Sequence, residues 1–435
     1  MNYLQNIRGT QDIFGEDAIL FNYINKKSGE IAKKFNFLYL ETPIIESSEV
    51  FERTIGESSD IISKEIYSFL DKGENKIALR PEFTASIMRS IYSNKMYMNL
   101  PLKFFSKGPV FRYDRPQKGR RRQFNQINYE FIGIKAENPI FDAQMIFMAF
   151  QLLKEIGIYN FSNPKIYINS IGSEETRKNF IEKLILYLNK YKNDLSAESI
   201  TRLEKNPLRI LDTKSQKEKE ILINAPKIKD FYDNQSRLFF DKLCIYLEEL
   251  KINFEIDHKL VRGLDYYEHT VFEIITDELG SQGTILAGGR YSNLSKYFNM
   301  NSIPSFGFAC GVERIMCMIL NNENSNNERI NLLNNILLSE KTIKICIACI
   351  GSDSSTYSLK IFNILNEISN KFSIEIINES KIKKIMEMAN KNCFEYIVLI
   401  GENEINSKML GVKNLSNGEQ VSVQENKLLE YFLYI

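Results

Sequence analysis

The chain has 435 residues, 43% hydrophobic and 26% charged, the composition of an ordinary globular protein with room for several domains. Lys and Arg total 56 against 55 Asp and Glu, a net charge of +1, so bulk charge points to no nucleic-acid partner and any such contact must come from a local patch. No apolar run is long enough to span a bilayer and the first residues lack a signal-peptide core, so a cytoplasmic protein with no membrane partner is expected.

In chain order, the turn-bearing IRGTQD precedes a helix over 17–35, where Leu20, Ile24, Ile31 and Phe35 recur at helical spacing. A short strand over 37–40 ends before Pro43, and a helix follows over 48–55. IYSFLDKGENKIALR reads as a hairpin turning near Lys72 and Gly73. The stretch Arg80-Pro81-Glu82-Phe83-Thr84-Ala85 opens a helix to about Met98, with Pro81 in its first turn and Glu82 where the helix dipole favours a carboxylate.

The next stretch, FFSKGPVFRYDRPQKGRRRQFNQINYEF over 104–131, reads as two strands joined by a basic loop. Lys107, Arg112, Arg115, Lys118, Arg120, Arg121 and Arg122 are opposed before Glu130 only by Asp114. Alternation puts Phe111 and Tyr113 on one face of the first strand, opposite Val110 and Arg112. In the second strand it puts Ile127, Tyr129 and Phe131 on a core-facing side, opposite Gln126, Asn128 and Glu130. An arginine, an amide and a carboxylate can therefore point into one hollow beneath a loop of phosphate-seeking residues.

A helix over 139–156 and a strand over 165–170 come next, then a lysine-rich, strand-poor stretch over 173–251 that reads as an inserted helical module. Strand pattern returns over 253–257, and LVRGLDYYEHTVFEI reads as strand, glycine turn and strand. QGTILAGGRY over 282–291 is a buried strand, and GFACGVERIMCMIL over 307–320 a strand followed by a helix. Residues 321–340, with NNENSNN, read as a linker. From 341 to 435 strands and helices alternate as a small α/β domain with a largely parallel sheet.

The six cysteines make no disulfide scaffold, and the lone C-x-x-C of Cys346 and Cys349 lies in the strand-like IKICIACI. With His258 and His269 the only histidines, no zinc site is expected; His258 reads as structural and His269 as exposed. No nucleophile elbow, P-loop or dinucleotide fingerprint occurs. Three arginines lie in otherwise apolar settings: Arg112 with Gln126 and Glu130, Arg262 with Asp265, Tyr266 and Tyr267, and Arg314 beside Glu313 at a helix start. Each alone is explained by an ion pair with a neighbouring carboxylate. Together they fit a nucleotide triphosphate and a reaction run by positioning and charge neutralisation, such as attack by a bound carboxylate on a nucleotide phosphate.

These segments resemble the class II aminoacyl-tRNA synthetases, and most closely the histidyl-tRNA synthetase family, over nearly the whole chain. IRGTQDIFGED resembles that family's N-terminus, and YLETPIIESSEVFERTIGESSDIISKEIYSF its dimer-forming motif 1. GPVFRYDRPQKGRRRQFNQINYEFIG resembles motif 2, GFACGVERI motif 3, and LVRGLDYY and AGGRY the two segments peculiar to the histidine enzymes.

The resemblance implies an α+β fold: a class II antiparallel sheet flanked by helices over 1–320, carrying the helical insertion (about 173–251), then a linker over 321–340 and a C-terminal α/β anticodon-binding domain over 341–435. It implies ATP-dependent activation of L-histidine, with Mg²⁺ accompanying the ATP, transfer to tRNA(His), and a homodimer. By the same resemblance Glu82, Thr84 and Gln126 hold the amino group of histidine; Glu130 and Tyr266 read its imidazole; Tyr267 and Tyr291 close the pocket. Relatives often read R-P-E-G-T where this chain has Phe83, which the resemblance places in the same histidine-binding segment. Arg112 and Arg262 neutralise the α-phosphate as the catalytic pair, Arg314 binds the far phosphates, and Arg115, Gln117, Lys118, Arg120 and Arg121 meet the tRNA acceptor end. One alternative is a non-catalytic histidine-binding regulatory paralogue of ATP phosphoribosyltransferase, which need not keep the three arginines or the last domain. The others are a class II synthetase for threonine, proline or glycine, and a pure RNA-binding protein.

Overall fold

The computed structural model describes residues 4–55, 61–117, 119–262, 266–320, 327–350, 354–368, 371–379 and 381–435. It divides into two compact units, Met1–Ile336 and Leu337–Ile435. The first contains strands β1 (Leu38–Tyr39), β2 (Ile45–Ser47), β3 (Ser68–Leu70), β4 (Lys76–Leu79), β5 (Leu102–Phe111), β6 (Gln123–Ile132), β7 (Lys165–Ser170), β8 (Glu255–Ile256), β9 (Tyr267–Ile275), β10 (Thr284–Tyr291) and β11 (Ser305–Gly311). Its main sheet has eight strands in the order β1-β5-β6-β11-β10-β9-β7-β8. The inner strands, from β5 to β7, are joined by antiparallel pairings, and the two-residue edge strands β1 and β8 pair in parallel. Strands β2, β4 and β3 form a separate small sheet.

The two faces of the main sheet differ because β6 alternates. Ile127, Tyr129 and Phe131 enter the hydrophobic core on one side. There they meet α1 (Glu16–Lys34), α4 (Ile140–Ile156) and α9 (Val312–Ile319). Helix α1 offers Leu20, Ile24, Ser28 and Ile31, spaced to share one stripe. The Tyr129 hydroxyl is satisfied inside this core, donating to the Ser28 carbonyl at 2.8 Å. On the other face Gln126, Asn128 and Glu130 register against Gly311, Ala309 and Gly307 of β11. A Cβ at position 307 would sit 1.9 Å from Glu130 Oε2, so only glycine leaves room for that carboxylate. Small residues on β11 thus leave space above the sheet on this face.

Helix α2 (Ser48–Ile55) matches its expected span, and α3 (Thr84–Ser93) is shorter than expected. Pro81 lies before α3 rather than in its first turn, and the helix stops at Asn94, before Lys95 at φ 55°. The helical module is built from α5 (Glu174–Leu188), α6 (Ala197–Lys205), α7 (Gln216–Ile221) and α8 (Asn234–Glu249), joined by short 3₁₀ turns. Ser173, Ser196, Ser215 and Asp233 cap them in turn, each accepting a backbone N–H three residues on. Val261 and Arg262 are not in a strand, contrary to expectation; Gly263 and Asp265 lie outside the described residues. His269 is not exposed either: at φ 48° its ring packs on Phe239 of α8 at 5.0 Å, and burial lowers its pKa to about 4.

Arg290 of β10 and Asp142 of α4 form an ion pair at 2.5 Å, with side chains 1% and 0% exposed. Thr270 donates to the same carboxylate at 2.6 Å, and the Arg290 guanidinium also reaches the Lys135 and Asn138 carbonyls. Removing one partner strands a charge in the interior. Asp142→Ala is therefore expected to cost about 3–5 kcal/mol of stability, read as a lower urea midpoint; a loss under about 1 kcal/mol would contradict this account.

Part of the expected linker is helical: α10 (Asn327–Ser339) buries Arg329 and Ile336 in the first unit, Arg329 pairing with Glu278. Residues 321–326 lie outside the described residues. The second unit carries β12 (Ile343–Cys349), α11 (Ser354–Leu365), β13 (Phe372–Asn378), α12 (Ile382–Lys391), β14 (Tyr396–Ile400), α13 (Glu402–Ser407), β15 (Met409–Asn414), β16 (Gln420–Gln424) and α14 (Leu428–Leu433). Its sheet order is β13-β12-β14-β15-β16. The first three strands run parallel, but β15 and β16 are antiparallel, so the sheet is mixed rather than largely parallel. Cys346 and Cys349 are buried in β12 as packing residues.

Candidate active site

Above the open face of the main sheet lies a cavity of about 1040 Å³. Its walls come from β6, β9, β10 and β11, the turn before α3, the loop after β5, the start of α9 and the helical module. Arg112, Arg262 and Arg314 all line it, as do Glu82, Thr84, Gln126, Glu130, Tyr266, Tyr267 and Tyr291.

One end of the cavity is an acidic, aromatic slot. Glu82 turns its carboxylate onto the N-terminus of α3, accepting the Thr84 and Ala85 N–H groups at 2.7 and 2.8 Å. The helix start thus holds the carboxylate in the wall, and burial raises its pKa above the usual range. Glu130 accepts from Thr84 Oγ1 at 2.5 Å and Asn128 Nδ2 at 3.1 Å on one oxygen, and from the Tyr291 hydroxyl at 2.6 Å on the other. Burial nevertheless pushes its carboxyl up to about 7, because these donors only partly offset the lost hydration. The Tyr266 ring lies 4.7 Å from Tyr267 and 5.4 Å from Tyr291, giving the slot an aromatic lining. Gln126 Oε1 is buried and has no partner, an acceptor waiting for a donor.

The cavity also has a cationic lining. Arg112 Nε donates to the Pro81 carbonyl at 2.9 Å, tying the β5 loop to the α3 turn. Arg262 pairs with Glu273, whose other oxygen accepts from Thr284 Oγ1 at 3.0 Å. Arg314 donates to the Thr284 carbonyl, and burial, with Arg120 and Arg112 nearby, pushes its pKa down to about 10. Glu313 is not its partner: that carboxylate accepts the Asn125 backbone N–H and side-chain amide at 2.9–3.0 Å. Several arginines lining one cavity favour a polyanion in the space they face.

Not every expected residue reaches the cavity. Phe83 does not line it; the ring is fully buried in the core with the Arg80 guanidinium 4.1 Å above its face. Gly108 makes this arrangement possible, since a Cβ there would sit 2.9 Å from Arg80 Nη2. The Phe83 side chain is therefore a packing element, buried away from the slot in whose segment the resemblance places it. Tyr113 is exposed beyond the end of β5, beneath the Arg122 guanidinium at 3.7 Å. In the loop, Arg120 and Arg121 line the cavity and Arg120 pairs with Asp114 at 3.0 Å. Arg115 and Gln117 are exposed, and Lys118 lies outside the described residues. Asn128 faces in, as the alternation of its strand requires, and so do residues given no role from the sequence: Glu273 from the sheet, and Arg202, Arg209 and Lys214 from the helical module. The signal for the sheet residues was the alternation of β6 and β9; for the module there was none.

Two family models match the chain: histidyl-tRNA synthetase over residues 9–315 and an anticodon binding domain over residues 344–434. The histidine–tRNA ligase of Wolbachia pipientis from Culex pipiens is 43% identical over 426 residues, covering 98% of this chain and 99% of the relative. That of Rickettsia conorii is 43% identical over 428 residues, covering 98% of each. The crystal structure of apo histidyl-tRNA synthetase from Staphylococcus aureus superposes with a TM-score of 0.77 at 30% identity, over 99% of this chain and all of that one. The chain belongs to the histidyl-tRNA synthetase family.

Proposed function

We propose that the cavity is where this synthetase joins L-histidine to ATP and passes the product to tRNA(His). The observation that carries this reading is the meeting of three arginines and the Glu130 slot in one cavity. Histidine lies in the slot, its ammonium against Glu82, Thr84 and Gln126. Glu130 faces one ring nitrogen and the Tyr266 hydroxyl the other, with Tyr267 and Tyr291 around the ring. A ligand lacking the ring nitrogens leaves these buried groups unpaired, which gives selectivity. The triphosphate lies along the arginines, with Mg²⁺ entering as part of the ATP substrate and held chiefly by phosphate oxygens and water.

The histidine carboxylate attacks the α-phosphorus, the bond to the β-phosphate oxygen breaks, and pyrophosphate leaves. Arg112 and Arg262 face the charge that grows on the α-phosphate oxygens, and Arg314 the departing phosphates. In the second step the terminal ribose hydroxyl of the tRNA attacks the activated carbonyl and AMP leaves. Arg115, Gln117, Lys118, Arg120 and Arg121 receive the acceptor end, the helical module its stem, and the second unit the anticodon. The regulatory alternative is disfavoured by the retained arginines and by the match of residues 344–434 to an anticodon binding domain.

The enzyme works as a homodimer in the cytoplasm. Leu38, Tyr39, Ile45, Phe69 and Leu70 are exposed on β1, β2 and β3, an apolar set that a second copy would cover. No helix among the described residues is long and apolar enough to cross a membrane. Ending the chain at Ser339 is expected to leave histidine-dependent pyrophosphate exchange within about threefold while tRNA charging falls by about 10²-fold or more, as lost anticodon contacts demand. Undiminished charging by the shortened chain would refute the role given to the second unit.

A further inference from the structure

We propose that Asn128 is a specificity-determining residue of the histidine slot, its side-chain oxygen accepting a hydrogen bond directly from an N–H of the bound amino acid. The inference rests on the reading of the slot given above. Asn128 sits on β6 between Gln126 and Glu130, on the same inward face, and is 2% exposed. Its Nδ2 donates to Glu130 Oε1 at 3.1 Å, and that bond to a carboxylate fixes which way the amide points. Oδ1 is then left buried with no partner, on a residue that lines the cavity.

The neighbours show why nothing in the chain satisfies it. In the register of the sheet Asn128 stands opposite Ser106 on β5 and Ala309 on β11. The Ser106 hydroxyl is spent on the Leu40 carbonyl at 2.5 Å. Beyond Ala309 the row continues to Ala287, and the next polar side chain is Glu273, which is itself an acceptor. A buried amide oxygen in an alanine-floored hollow costs free energy unless a ligand supplies the donor. Histidine has donors to supply, and Asn128 lies between the residues that hold its ammonium and the one that reads its ring. One side chain thus does two things: Nδ2 orients Glu130, and Oδ1 meets the substrate.

The test is a double-mutant cycle read by histidine-dependent ATP–pyrophosphate exchange. Asn128→Ala is expected to lower kcat/KM for histidine about tenfold or more, with KM for ATP unchanged, as loss of a hydrogen bond to a charged or polarised donor requires. The same change made in an E130Q background is expected to lower it by roughly threefold or more again, because the substrate contact is independent of Glu130. A histidine kcat/KM within twofold of the parent overturns the proposal. So does a loss that vanishes in the E130Q background, which would leave Asn128 acting only through Glu130. If N128A does not fold, N128V fills the strand position with a β-former that carries no acceptor, and the same outcomes apply. A wild-type enzyme silent towards histidine would fail the reading of the slot itself; an active wild type with an unaffected variant fails only this inference.

Discussion

Arg262→Ala is expected to lower histidine-dependent ATP–pyrophosphate exchange by about 10²–10³-fold, the size of effect seen when one preorganised donor to a developing oxyanion is removed. The side chain is 21% exposed and fixed by Glu273, which is 15% exposed and held in turn by Thr284. The guanidinium therefore needs little reorganisation when charge builds on the α-phosphate. Its loss acts twice: a positive charge disappears, and Glu273 is left as an unpaired carboxylate facing a polyanion. Arg262→Lys should recover little, because an ammonium cannot serve Glu273 and a phosphate through one planar fork. Single-turnover formation of adenylate separates this from a folding defect, with urea unfolding as the control. Activity within threefold of the parent would remove Arg262 from the catalytic pair.

Glu130→Gln is expected to weaken histidine by about 10²-fold while changing KM for ATP less than threefold, since it replaces an acceptor facing a ring N–H by an amide among donors that already crowd the site. A pH signature accompanies it. The carboxyl ordinarily titrates near 4.5 and is raised to about 7 in the ligand-free fold. The folded protein thus keeps a proton that the unfolded chain has lost. Glu130 therefore contributes stability that is present below about pH 4.5 and is lost as the pH rises towards 7, worth up to about 3 kcal/mol at 1.36 kcal/mol per unit. Histidine, by donating to the carboxylate, favours the ionised form, so its affinity should rise between about pH 6 and 8. E130Q should flatten both trends. Equal losses for histidine and ATP, or an unaltered pH profile, would count against Glu130 as the ring reader.

Much of this site follows from period-two alternation. Gln126, Asn128 and Glu130 must share a face if Ile127, Tyr129 and Phe131 are buried, and they do. The position of Arg314 followed from where a helix begins; Arg112, expected within the strand, lies just past its end and still lines the cavity. Phe83 could not be placed in this way. Its direction depends on Arg80 beside it and on the missing side chain at Gly108, a contact invisible to local spacing. His269 misled for a similar reason, since Phe239 reaches it from another helix. Helix α10 has weak apolar spacing, and its place is set by the Arg329–Glu278 pair and by Ile336. The buried Arg290–Asp142 pair joins a strand to a helix 148 residues away, and nothing near either residue announces it.

The central claim is that a cationic triphosphate site and a slot shaped for histidine share one cavity. ATP–pyrophosphate exchange by the intact protein, run separately with each of the proteinogenic amino acids, tests it most directly. The account predicts exchange with histidine alone, dependent on both Arg262 and Glu130. Exchange driven equally well by another amino acid, or none with any of them, would contradict it.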